Sequence, residues 1–82
     1  MTIMFTKYAN DKFAVLERHG FVVTKVQVEQ VLKTPDAVDA SRAPVYIAQR
    51  RANDERVLKA AYKKEGDIVK VLTFYPGKTD AQ

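Results

Sequence analysis

Arg56, Lys59, Lys63, Tyr75 and Lys78 are the residues of this chain whose types suit work on a phosphate. RNA cleavage without a metal needs a base for the 2′-hydroxyl, cations for the charge building on the phosphorane, and an acid for the departing oxygen. Arginine and lysine supply the charge; tyrosine can share a proton or stack on a base. Tyr75 stands out within V-L-T-F-Y-P-G-K (Val71 to Lys78), where strand-forming residues run into a Pro-Gly pair. Its ring can be anchored at a strand end while its hydroxyl stays free. His19, the chain's single histidine, is a second candidate for proton transfer. At a helix C-terminus, however, a histidine ordinarily complements the dipole. Arg50, Arg51 and Lys70 complete the candidate phosphate-binding set. For each of these cations the competing role is solvation, or protection of an exposed strand edge.

Other chemistries find little support. With one histidine and no cysteine, a zinc site would need carboxylates as most of its ligands, so no metal is expected. The chain has no Gly-rich phosphate loop, nucleophile elbow or paired-carboxylate signature, and no cofactor is expected. Tyr62 and Tyr46 lie among apolar neighbours and read as packing residues.

The elements that must position these side chains belong to an 82-residue chain that is 46% apolar and 29% charged, enough to fold as one domain. That domain is expected over residues 1–78, with 79–82 as a disordered tail. Met1 to Phe5 is too short for a signal peptide and no apolar run approaches membrane-spanning length, so a cytoplasmic protein without membrane contact is expected. Charge is unevenly placed. Residues 1–41 carry five basic and five acidic side chains, whereas residues 42–78 carry nine basic and four acidic, a balance of +5. Such a field attracts nucleic acid or an acidic protein.

Ile3-Met4-Phe5 reads as a short strand or a lead-in to the first helix. From Lys7 to His19, Ala9, Phe13 and Leu16 share one helical face, and Gly20 follows as a left-handed stop. Thr24-Lys25-Val26-Gln27 is a capping box, with Val23 and Val28 as its hydrophobic staple. Val28, Val31 and Leu32 form the buried stripe of this second helix, and Pro35 ends it. Short strands follow at Ala37–Ala40 and Pro44–Arg51, then Arg56–Lys64 and Ile68–Tyr75 flanking Glu65-Gly66-Asp67. The class is therefore α+β: an N-terminal helical pair packed on a C-terminal antiparallel sheet of about four strands. A turn at Glu65-Gly66 would set Tyr62 against Val69, Ala60 against Val71 and Leu58 against Thr73 on the helix-covered face. Lys59, Lys63, Lys70, Leu72 and Phe74 would occupy the other face, and Arg56 would lie opposite Tyr75.

The chain also carries a recognisable pattern: K-Y-A…K-F-x-V-L-x-R-H-G-F-x-V-T (Lys7 to Thr24), V-x-x-V-L-x-T-P-D-x-V (Val28 to Val38), I-A-Q-R (Ile47 to Arg50) and V-L-K-A-A-Y-K-K-E-G-D-I-V-K-V-L-T-F-Y-P (Val57 to Pro76). It resembles an uncharacterised prokaryotic family of small proteins distantly related to the RelE/ParE toxin superfamily. Two positions depart from the pattern. Tyr8 stands where many members have histidine, and Pro76 leads into Gly77-Lys78-Thr79-Asp80 rather than an arginine-rich tail. The resemblance implies a helical hairpin on an antiparallel sheet. Relatives of RelE type cleave mRNA on the ribosome and those of ParE type poison gyrase, so fold alone leaves the target open. The expected function is binding of RNA or a ribosome-associated target through a basic sheet face. RNA cleavage would use Arg56 and Lys59 for phosphate charge and Tyr75 or His19 for proton transfer. The alternative is a non-catalytic module that binds an acidic, antitoxin-like protein. A homodimer, with no surface singled out by the residues, is compatible with either.

Overall fold

The computed structural model describes residues 1–78, so the tail expected over 79–82 lies outside the described residues. Seven elements follow in order: β1 (Thr2–Phe5), α1 (Lys7–Arg18), α2 (Lys25–Lys33), β2 (Ala37–Asp39), β3 (Tyr46–Arg51), β4 (Arg56–Glu65) and β5 (Ile68–Lys78). The strands form one sheet in the order β1-β5-β4-β3-β2. The α+β class is as expected, but the sheet has five strands and is mixed. The N-terminal segment is a true strand that pairs parallel with β5, Ile3 beside Val69 and Phe5 beside Val71.

Both helices begin on threonines whose hydroxyls satisfy free amides. Thr6 accepts from the Ala9 amide at 3.2 Å, and its hydroxyl also donates to the Leu72 carbonyl, tying α1 to β5. Thr24 and Gln27 make the full capping box at α2. At the end of α1, the Phe21 amide donates to the Leu16 carbonyl and the Gly20 amide to that of Glu17. With Gly20 at φ 88, these are the two bonds of a Schellman stop. Phe21 consequently packs back on the core beside Leu16.

The helices cover one face of the sheet, α1 over β5 and β1, α2 over β4 and β3. Ala9 and Leu16 from α1, Val28 and Val31 from α2, and Ala48, Leu58, Ala60, Val71 and Phe74 from the strands form the core. Phe13 bridges Phe5 and Phe74, with ring centroids 5.7 and 4.5 Å away.

The β4–β5 register differs from the expected one in two ways. The turn is Gly66-Asp67, with Gly66 at φ 60 and Glu65 opposite Ile68. Glycine reaches that left-handed conformation without steric cost. Further along, Tyr62 pairs with Val71 but Ala61 pairs with Thr73, which leaves Leu72 as the extra residue of a β-bulge. One extra residue inverts the side-chain alternation beyond it. Phe74, expected on the outer face, is therefore fully buried under the helices, and Thr73, expected in the core row, faces outward. Pro76-Gly77 also does not end the strand, because β5 continues to Lys78. β1 stops pairing at Val71, so beyond that point β5 is an edge, where proline is tolerated.

Candidate nucleic-acid interface

Among the described residues no helix covers the other face of the sheet, and the registers define what it presents. One row runs Ala37, Gln49, Lys59, Tyr75 across β2 to β5; the next runs Asp39, Ile47, Ala61, Thr73. A third places Lys63 opposite Lys70, with Met4 beyond it on β1. Lys59, Lys63, Lys70 and Tyr75 thus share the open face, all half-buried. Gly77 lies in the same region: a Cβ there would stand 3.3 Å from Val57 Cγ2 and 3.4 Å from Lys59 Cε. The missing side chain leaves room for the lysine stem beside Tyr75.

Asp39, Ile47, Gln49, Lys59 and Tyr75 enclose a shallow depression of about 190 Å³ on this face. Asp39 accepts from the Ser41 amide at 2.8 Å, and its hydrogen bonds to the Ser41 side chain and backbone hold its carboxyl below the ordinary value of 3.8. Lys63 and Lys70 stand directly opposite one another, an unfavourable like-charge pair. Lys70 reaches Glu65 at 3.1 Å, an exposed ion pair that offsets part of this repulsion. The face therefore combines an uncovered sheet surface, an aromatic ring and like charges.

The remaining candidates are elsewhere. Arg56 lies opposite Lys78 rather than Tyr75. Period-two alternation sends Arg56 to the helix side of β4, where its guanidinium stacks on the Phe21 ring, 4.9 Å from the centroid. Lys78 is exposed at the same end. Arg50 donates to the Thr34 carbonyl at 2.8 Å and to its hydroxyl, closing the C-terminus of α2. Arg51 holds the β3–β4 turn through the carbonyls of Asn53 and Asp54. His19 is the exposed C-cap of α1. Arg56, Tyr75 and His19 thus do not converge, whereas Lys59, Lys63, Lys70 and Tyr75 share one face.

Sequence reasoning missed Gln49 and Asp39 as neighbours of Lys59, because the β2–β3 register is a tertiary fact. It also missed Phe21 as the partner of Arg56. The Gly20-Phe21 dipeptide was the available signal, since a hydrophobic residue after a glycine stop packs against the preceding turn. Tyr46 and Tyr62 stack at 5.7 Å, as expected of packing residues, and burial followed by the Tyr46 neighbour raises the Tyr62 hydroxyl above its ordinary value of 10.0. Among the described residues, no group of three or more His, Asp or Glu is placed to hold a metal ion. No helix among them is long and apolar enough to cross a membrane. A comparison of the chain with protein-family models, curated proteins and solved structures finds no match in any of the three.

Proposed function

We propose that this protein binds single-stranded RNA on the open face of its sheet. One observation carries the reading: Lys59, Lys63 and Lys70 lie on the uncovered face together with Tyr75, which stands directly opposite Lys59. Sheet platforms of this kind bind single strands by stacking bases on a ring while cations follow the phosphates. The motif resemblance to relatives of the RelE/ParE toxins supports an RNA or ribosome-associated target. The reading is one of binding rather than cleavage, because the acid, base and arginine that cleavage would need are dispersed over both sides of the sheet.

The test is fluorescence anisotropy of a labelled single-stranded RNA titrated with the full chain at several salt concentrations. Binding should weaken steeply with salt. Replacing Lys59, Lys63 and Lys70 together by alanine should lower the log–log salt slope by about 2, at roughly 0.7 per phosphate contact on a single strand. An unchanged slope, or affinity for an acidic protein with none for RNA, would overturn the proposal. Induced expression in a bacterium with mapping of mRNA ends tests cleavage separately, and intact transcripts are expected.

A further inference from the structure

On the helix side of the sheet, the α1–α2 connection and the β3–β4 turn enclose a groove of about 430 Å³. That volume lies within the range of small-molecule sites. Phe21, Leu58 and Pro76 supply apolar wall, while Gln27, Asn53 and Arg56 supply the polar side chains. Neither Lys59 nor Tyr75 lines it, so it is distinct from the open face.

The polar groups share one property. Gln27 Oε1 already accepts from the Thr24 amide at 2.9 Å. Asn53 Oδ1 already accepts from the amides of Glu55 and Arg56, both at 2.9 Å. Every side-chain acceptor lining the groove is therefore occupied within the fold. Among the lining side chains, what remains are donors: the two amide nitrogens and the Arg56 guanidinium, which makes no ion pair or side-chain hydrogen bond among the described residues. The guanidinium lies over the Phe21 ring, a contact that leaves its N–H fork unused. Asp54 and Glu55 belong to the same turn but do not line the groove.

We infer that this groove binds a small organic carboxylate with an aromatic or branched apolar body. The apolar part lies on Phe21, Leu58 and Pro76, and the carboxylate accepts from the Arg56 fork and the Asn53 and Gln27 amides. A single fork beside two neutral donors matches a planar monoanion. A dianionic phosphate would call for a second lining cation, and Lys78 is not among the lining residues.

The test is a ¹H–¹⁵N NMR titration of the full chain with 3-phenylpropionate, using 3-phenylpropionamide as the neutral isostere. The acid should shift the amides of Gly20 to Val23 and Asn53 to Leu58, and the Arg56 Nε signal, saturably. The dissociation constant should be on the order of millimolar for so few atoms. Arg56→Gln should weaken the acid about tenfold, the usual loss for a charge-assisted pair. Asn53→Asp keeps the turn's acceptor but places a carboxylate in the groove, and it should weaken the acid similarly. The site does not exist as described if the acid produces no saturable shifts there. The same conclusion follows if the amide binds as well as the acid, or if Asn53→Asp leaves the affinity unchanged.

Discussion

Each side of the sheet sets a cation beside an aromatic ring, and the two pairs behave differently. On the helix side Arg56 stacks on Phe21 at the mouth of a groove. On the open side Lys59 lies across from Tyr75 on a surface with only a shallow depression. The first pair is walled, with every lining side-chain acceptor already engaged, which selects for a small anion. The second lies among further lysines on an open sheet face, which suits an extended polyanion. The contrast shows that residue type alone does not define a binding surface. What surrounds the cation decides the size and shape of the anion it can take.

Neighbours in the chain give the sharpest way to break this contrast. Phe74→Ala should cost about 3–5 kcal/mol of stability in urea denaturation, since the ring is fully buried under α1. Tyr75→Ala should change stability by less than about 1 kcal/mol, yet weaken RNA binding by about 1–3 kcal/mol for the lost base stacking. Equal losses of stability in the two variants would mean that the open face is part of the core. Thr24→Ala removes the hydroxyl of the capping box and should cost about 1 kcal/mol, leaving the affinity of the open face for RNA unchanged. A parallel loss of RNA affinity would show that the two sides are coupled.

Titration provides smaller, signed effects. The folded-state pKa of Tyr62 is raised by burial, so its contribution to stability is complete below 10.0 and declines as pH rises through the folded value. Tyrosinate absorbance should lose a late-titrating component in Tyr62→Phe. Asp39 is displaced the other way by Ser41. Its contribution is complete above 3.8 and is lost as pH falls through its folded value. Because its carboxylate is fully exposed, Asp39→Asn should flatten the acid limb of the stability curve only slightly. A large effect of Tyr62→Phe on RNA affinity would instead place that ring in the interface.

Local chemistry was legible in the sequence wherever neighbours along the chain decide it. Thr24 and Gln27 specify the start of α2, Gly20 the end of α1, and Glu65-Gly66-Asp67 a hairpin. The apolar stripes of Ala9, Phe13 and Leu16, and of Val28 and Val31, identify the helix faces in the core. Placement of Lys59, Lys63 and Lys70 on the uncovered side also follows from simple alternation along β4 and the start of β5.

Only the tertiary structure decided the rest. The bulge at Leu72 turns Phe74 inward and Tyr75 outward, because one unpaired residue inverts a period of two. β1 joins beside β5 as a parallel strand, a pairing between chain ends that no local signal encodes. Arg56 meets Phe21 only because the α1 stop and the β3–β4 turn reach the same end of the sheet. By itself, the sequence determined the two helices, the segments of β2 to β5 and where positive charge accumulates. Strand registry, a balance of long-range packing, decided which cations share a face and what each can hold.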